Sequence, residues 1–145
     1  MKDNKFCSYN YLDFPIVEVK FYTEFVSDKN FTEFLQEWNK IYKNKKDFIF
    51  FFDTRDCGSI DLKYVRQFAD FIKELKKREK QYLQKSIIII ESKVVSLLLK
   101  MLLFFQRPVA PIYVVKDFNT GENLIQKFLE NNDNLADIQY TYISN

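Results

Sequence analysis

The stretch Phe48-Ile49-Phe50-Phe51-Phe52-Asp53 decides the fold, because five consecutive apolar residues end at a carboxylate. A strand with one wet face alternates apolar and polar residues, whereas this run has no polar position before Asp53. It therefore predicts a strand that is buried on both faces, as in a sheet covered by helices. Two similar runs follow it, Ile87-Ile88-Ile89-Ile90 and Pro111-Ile112-Tyr113-Val114-Val115.

Segments with helical spacing lie before, between and after these runs. The capping residues Ser27 to Asn30 predict a helix that ends near Lys43, and Asp61 can cap a second helix. Ser92 to Phe105 predicts a third helix, and Asn119-Thr120-Gly121-Glu122 opens a fourth that continues to Leu129. Strands that alternate with helices in this way indicate βα units and a parallel sheet.

The two ends of the chain alternate apolar and polar residues, which is the period of a strand. Phe14 to Phe21 is expected to pair with Phe6 to Leu12, giving an N-terminal strand pair at 6–22. The tail Ile138 to Ile143 can add an edge strand. The whole pattern predicts a single α/β domain over 1–145, with about five mostly parallel strands and about four helices in a βα superhelix.

The composition excludes several kinds of enzyme. The chain has 145 residues, no histidine and only two glycines, Gly58 and Gly121. Without histidine there is no imidazole base or imidazole metal ligand, and two distant glycines cannot form a glycine-rich phosphate loop. With 22 Lys and Arg against 20 Asp and Glu, the net charge of +2 argues against a nucleic-acid partner.

The remaining global features favour a cytoplasmic protein. Met1 to Asn10 lacks the apolar core of a signal peptide, and the longest apolar-rich stretch, Val94 to Phe105, is too short to cross a bilayer. Cys7 and Cys57 carry no pairing signal and are expected to be reduced, with a disulfide between them as the alternative. No cofactor is expected.

The order of elements from Phe48 to Val115 resembles two families that share a βα superhelical fold. These are the sulfate-transporter and anti-sigma-factor-antagonist (STAS) domain and the core of the CRAL-TRIO lipid-binding domain. The resemblance rests on a strand that ends in Asp, a short loop, Ile60-Asp61 at a helix start, a basic helix, an isoleucine-rich strand and an apolar helix. It implies a regulatory domain that binds a protein, or a domain that binds a phospholipid.

In the antagonist family, the position of Ile60-Asp61 holds the Asp that precedes a phosphorylated serine. Here Leu62-Lys63-Tyr64 replaces the family's Ser-Ser-Gly, which removes that serine. Ser59 and Thr54 lie nearby and could be modified, and a phosphate on Ser59 would lie just ahead of a helix N-terminus, where anions are favoured. The alternative is that Ser59 and Asp61 only cap the helix.

The similarity to the lipid-binding family lies in Leu83 to Ile89 and the following helix, Ser92 to Phe105. These segments look like that family's late strand and gate helix, although Glu79-Lys80 replaces the usual Tyr-Pro. The N-terminal helical region that accompanies most such domains is not expected in this chain. Any lipid is therefore expected at the surface or in a shallow groove.

The predicted third helix is apolar almost all round. One face carries Val94, Leu97, Leu98, Met101, Leu102 and Phe105, and a further apolar stripe consists of Val95, Leu99, Leu103 and Phe104. A surface helix normally has a wide polar face. The stripe is therefore either covered by another part of the chain or exposed as a contact surface for a protein partner, a second copy or an acyl chain.

Two clusters of charged residues are further candidate binding sites. The cations Lys73, Lys76, Lys77, Arg78 and Lys80, with Lys85 further on, could meet anionic lipid headgroups, or could simply be a solvated helix end. The carboxylates of Asp53, Asp56 and Asp61 lie where ligands bind in open α/β sheets and could hold Mg²⁺, although capping is the commoner role of such loop acids.

We therefore expect a non-catalytic module that binds a protein partner or self-associates. Its predicted contact surface combines the stripe on the third helix with an interaction loop formed by Asp53, Thr54, Asp56, Ser59 and Asp61. The alternative is peripheral binding to an anionic phospholipid surface through the basic residues. Magnesium-dependent chemistry at the loop acids is a further alternative.

Overall fold

The computed structural model of the protein describes residues 5–22 and 26–145. The prediction for Met1 to Asn10 falls partly on residues 1–4, which lie outside the described residues. Within the described ranges, six strands and four helices follow one another in the order β1 Cys7–Asn10, β2 Ile16–Phe21, α1 Asp28–Lys43, β3 Phe48–Asp53, α2 Leu62–Leu75, β4 Leu83–Ile89, α3 Lys93–Phe105, β5 Ile112–Val115, α4 Phe118–Leu129 and β6 Thr141–Ile143.

The strands form one mixed sheet in the spatial order β1-β2-β3-β4-β5-β6. Strands β2 to β5 are parallel, while β1 and β6 pair antiparallel at the two edges. The α/β class is confirmed; the sheet is mixed and has six strands, where about five mostly parallel strands were expected, and β6 lies within the tail predicted as a possible edge strand. The sixth strand, β6, has only three residues and is largely exposed, so its alternation is a weak signal in the sequence.

The strand order explains where the helices lie. Each parallel crossover from β2 to β5 moves one position in the same direction, and right-handed crossovers of this kind place their helices on one face. Helices α1, α2 and α3 accordingly share a face of the sheet. Helix α4 packs on the opposite face over β4 and β5, because it leads into an antiparallel edge strand rather than a parallel one.

The run that decides the fold, β3, is buried on both faces as predicted. Phe50 faces α1, where its ring centroid lies 4.8 Å from that of Trp38. Phe51 faces α4 and belongs to a second cluster that includes Ile87 and Leu124. Burial of this much aromatic surface on both sides of one strand supplies much of the hydrophobic driving force for folding.

The helix starts agree with local capping chemistry. Ser27 forms a reciprocal capping box with Asn30 at the start of α1, and the Asp61 carboxylate accepts from the backbone N–H of Lys63 at the start of α2. Ser92, where the predicted third helix begins, is the N-cap of α3 and accepts from the Val95 backbone N–H. Helix α4 begins one residue earlier than expected, because Asp117 caps it by accepting from the Thr120 backbone N–H.

Candidate functional site

The interaction loop begins with an ion pair between the buried carboxylate of Asp53 and the exposed side chain of Arg55. Asp53 is 2 % exposed and accepts hydrogen bonds from Arg55 Nη2 at 2.8 Å, Arg55 Nε at 3.0 Å and the Arg55 backbone N–H at 3.1 Å. Hydrogen bonding from the Arg55 guanidinium lowers the pKa of the Asp53 carboxyl below its ordinary value. The guanidinium also lies over the Phe118 ring at 5.4 Å, which ties the loop to α4.

Most of the other loop residues also have structural partners. The hydroxyl of Thr54 is buried and donates to the backbone carbonyl of Ile89. Asp56 forms an ion pair with Lys20 at 3.2 Å, and Asp61 caps α2. Ser59 is exposed. Of the five predicted loop residues, Asp53 and Thr54 are therefore buried and unavailable to a partner.

The same contacts give each of the three loop acids a partner other than a metal ion. The carboxylates of Asp53, Asp56 and Asp61 have three separate partners: Arg55, Lys20 and the N-terminus of α2. Within residues 5–22 and 26–145, no group of three or more acidic or cysteine side chains is gathered as a metal site would require. Capping and ion pairing account for where these acids lie.

The basic residues at the end of α2 point in different directions. Arg78 reaches α1, where it donates to Asn39 Oδ1 at 2.6 Å and lies over the Tyr42 ring. Lys80 lies over the Tyr82 ring, and Lys77 pairs with Glu74 at 2.9 Å. Lys76 instead extends towards the end of α3 and donates to the Arg107 carbonyl at 3.5 Å.

Two further cations define the extent of this basic surface. Lys73 is exposed on α2. Lys85 lies over the Phe128 ring of α4, at 4.1 Å from the ring centroid, on the opposite side of the sheet. The predicted run is therefore not one patch, because Lys85 and Arg78 are directed away from the end of α3.

The orientation of α3 differs from the predicted one. Val95 is 6 % exposed, and Leu99 and Leu103 are half-buried, so three of the four residues expected on the surface face inwards. Phe104 is 84 % exposed. The outer face also carries Leu97, at 58 % exposure, and Val94, which the sequence pattern assigned to the core side. Because the helix is apolar all round, its periodicity cannot select the buried face.

The inward residues of α3 do not close tightly on the sheet. They form one wall of a cavity of about 150 Å³ between α2, α3 and the strands β3 and β4. Its lining is almost wholly apolar and includes Phe68 and Ile72 of α2, Leu99 and Leu103 of α3, and Ile88 and Ile90 from β4 and its end. Any lipid was expected at the surface or in a shallow groove, whereas this cavity lies beneath α3.

The cavity exists because small residues lie opposite long ones. On the α3 face of β4, Ser86 occupies a position next to Ile88, with Phe50 and Ile112 on the neighbouring strands. Ala110, just before β5, is also buried and lines the space. A serine and an alanine beneath leucines of α3 leave volume that branched side chains would fill, which is how native interiors normally avoid voids.

The lining is uncharged as well as apolar. Cys57, from the interaction loop, lies at one end of the cavity, and burial raises the pKa of its thiol to about 11. The thiol is therefore protonated at neutral pH. Engineered protein cavities of about 150 Å³ with apolar walls stay dry and admit a benzene-sized molecule. The cavity can thus hold a small apolar group against its apolar walls.

Sequence reasoning missed both the cavity and Ser86. The one signal available was the serine that opens the isoleucine run Ser86-Ile87-Ile88-Ile89-Ile90 at a position buried beneath a helix. That signal could not show the size of the cavity, which depends on how α3 packs against α2 and the sheet.

Comparison with known proteins identifies no relative of this chain. No protein-family model matches the chain, and no curated protein or solved structure gives a significant match to it. The resemblance to STAS and CRAL-TRIO domains therefore stays a prediction from the order of elements. In the part of the chain that the structure describes, no helix has the length and apolarity needed to span a membrane.

Proposed function

We propose that the protein is a non-catalytic binding module that holds a small apolar ligand between α3 and the sheet. The observation that carries this proposal is the cavity of about 150 Å³ with its apolar lining. Apolar walls favour a ligand through the area that it removes from water. Ligand sites in proteins are concave and mostly apolar, with few polar groups, and this cavity has that character.

The proposal develops the alternative that the resemblance to the CRAL-TRIO core implies, but with a partly open cavity beneath α3 in place of a shallow surface site. The regulatory role implied by the STAS resemblance remains a competing proposal. Its support is narrower, because Ser59 is exposed ahead of α2 while Asp53 and Thr54 are held by internal contacts.

The test of the cavity proposal is thermal unfolding in the presence of toluene. At about ten times its Kd, a ligand that binds only the folded protein stabilises it by about 1.4 kcal/mol. For a chain of this length we expect Tm to rise by about 3–6 °C. The variant Leu99→Trp, which extends a lining residue, should lose this rise, while Leu97→Trp on the outer face of the same helix should keep it.

The wild-type result is decisive even where Leu99→Trp folds poorly. A toluene titration that leaves the wild-type Tm unchanged contradicts the proposal. A rise that Leu99→Trp retains in full would place the bound toluene somewhere other than beneath α3.

A second candidate function is docking of the outer face of α3 on an anionic phospholipid surface. Leu97 and Phe104 are exposed there, and the Lys76 amine lies next to the end of the same helix. Exposed apolar side chains beside cations suit a bilayer interface, where each near-surface cation contributes on the order of 1 kcal/mol. A protein partner that covers the same face is the competing occupant.

Vesicle sedimentation at low salt separates these two occupants. Vesicles that contain phosphatidylserine should bind the protein, and Phe104→Asp or Lys76→Glu should weaken that binding. Lys29→Glu, an equal charge change at the start of α1, should leave it nearly unchanged. Absence of binding to anionic vesicles at low salt would contradict docking on a phospholipid surface. A protein partner would then be the remaining candidate for this face.

A further inference from the structure

We propose that the ligand beneath α3 is uncharged and carries a hydroxyl or carbonyl oxygen, which hydrogen-bonds to the Ser86 hydroxyl. This inference rests on the proposed function, since it specifies the ligand class of the same cavity. It concerns a polar anchor that neither the sequence pattern nor the apolar character of the lining indicates.

Ser86 is placed as such an anchor would be. The residue is 4 % exposed and lies in the middle of β4, where its backbone N–H donates to the Pro111 carbonyl. Its side chain lines the cavity. No hydrogen bond joins the Ser86 hydroxyl to another described residue, and the side chain lines the cavity, where a ligand oxygen could reach it. Among the described residues, the buried side-chain polar atom left without a hydrogen bond is Trp38 Nε1, so the case for Ser86 rests on its place in the cavity lining.

The other polar side chains of the lining already have partners. Thr54 donates to the Ile89 carbonyl, and Tyr64 donates to Asp28 Oδ1 at 2.9 Å. Gln106 Nε2 donates to the Arg107 carbonyl at 3.1 Å. Ser86, by contrast, lies between Phe50 and Ile112 of the adjacent strands, on the sheet side of the cavity.

Trp38 offers a second donor that has to be distinguished from Ser86. Its indole N–H is buried without a hydrogen bond of normal geometry, and its ring forms part of the cavity wall. The N–H lies near the Tyr42 hydroxyl. Burial, the largest effect, raises the pKa of that hydroxyl, whereas the nearby indole N–H acts to lower it. This proximity associates the indole with Tyr42 of α1, and the variant Trp38→Phe separates its contribution from that of Ser86.

The charge of the ligand follows from the lining. Among the described residues that line the cavity there is no Asp, Glu, Lys or Arg. A carboxylate or an ammonium group inside would lose its hydration and meet no opposite charge, which is strongly unfavourable. A single hydroxyl is enough to satisfy one alcohol, phenol, ketone or ester oxygen and leaves the rest of the ligand in apolar contact.

The experiment is calorimetric titration of three matched probes: toluene, phenol and benzoate. Wild-type protein should bind toluene and phenol, and should bind benzoate at pH 7 at least tenfold more weakly than phenol. The variant Ser86→Ala removes the hydroxyl without filling the cavity. It should reduce the affinity for phenol relative to toluene by about 3- to 10-fold, the range expected for one hydrogen bond. Ser59→Ala, at an exposed serine outside the cavity, should leave this ratio unchanged.

Each outcome has a definite meaning. Toluene binding with a phenol-to-toluene ratio that Ser86→Ala does not alter overturns the anchor but leaves the cavity proposal standing. Benzoate binding as tight as that of phenol overturns the uncharged ligand class. A ratio that falls in Trp38→Phe rather than in Ser86→Ala assigns the anchor to the indole and overturns this inference. Failure of both toluene and phenol to bind the wild type overturns the proposed function itself.

Discussion

Asp53 shows how a residue that looks catalytic in the sequence can be structural. The pattern placed its carboxylate at the end of the central strand, where ligands bind in open α/β sheets. In the structure the side chain accepts three hydrogen bonds from Arg55, and the pair anchors the loop against Phe118. The sequence could not distinguish these roles. Arg55, which neutralises Asp53, lies in the same loop, and the direction of its side chain depends on packing against Phe118 of α4.

Asp53 should make the protein sensitive to acid. Its folded pKa is lowered by Arg55, so its stabilising contribution is complete above the ordinary pKa near 3.8 and is lost as the pH falls towards the lower folded value. Asp53→Asn should reduce the free energy of unfolding by about 1–3 kcal/mol at pH 7. It should also flatten the fall in stability between pH 5 and pH 2.5, as measured by urea unfolding.

The control for this prediction is Asp70→Asn, an exposed acid on α2. This variant should keep the acid dependence of the wild type. A slope in Asp53→Asn that equals the wild-type slope between pH 5 and pH 2.5 would show that the ion pair adds no pH-dependent stability.

Gly121 is a second residue whose role only the packing shows. It lies within α4, and a Cβ atom there would come within 2.6 Å of Cε1 and 2.7 Å of Cζ of the buried Phe51 ring. Glycine is normally unfavourable inside a helix, so its presence follows from the close approach of α4 to the centre of the sheet.

Gly121→Ala should therefore reduce the free energy of unfolding by about 1–3 kcal/mol, through overpacking against Phe51. This loss would outweigh a gain of about 1 kcal/mol in helix propensity. Urea unfolding measures it, and Phe51→Leu in the same chain should recover part of the loss. Asn123→Ala, exposed on the same helix, should be neutral or slightly stabilising. A Gly121→Ala protein as stable as the wild type would contradict the close packing.

At the scale of elements, the sequence predicted well wherever a local signal was strong. The polar caps Ser27, Asp61 and Ser92 marked the starts of α1, α2 and α3, and the phenylalanine run marked β3. These features depend on neighbours within a few residues. The face of α3 could not be predicted, because its burial depends on contacts with α2 and the sheet rather than on its own periodicity.

The two faces of α3 should respond differently to the same substitution. Val95→Asp places a charge in a buried position and should reduce the free energy of unfolding by about 3 kcal/mol or more. Phe104→Asp, on the outer face, should change it by less than about 0.5 kcal/mol. Equal losses in urea unfolding for the two variants would mean that the outer face of α3 is covered in solution.

At the scale of the whole molecule, the α/β class was predicted from the sequence, but the strand order and the mixed character of the sheet were not. The buried runs and their alternation with helices indicate the parallel strands β2 to β5, because such strands need no polar face. The antiparallel edge at β6 depends on three residues that pair with β5, two of them exposed, and its sequence signal is correspondingly weak. The cavity has no local signal, since it arises from the distance between α3 and the sheet.

The single tryptophan of the chain, Trp38, lies in the wall of this cavity and reports on it directly. The most direct test of ligand binding beneath α3 is therefore quenching of Trp38 fluorescence by bromobenzene, whose heavy atom quenches an indole in contact with it. We predict quenching that saturates with bromobenzene concentration and is reversed by an excess of toluene. Quenching that rises linearly without saturation and is unaffected by toluene would contradict a binding site between α3 and the sheet.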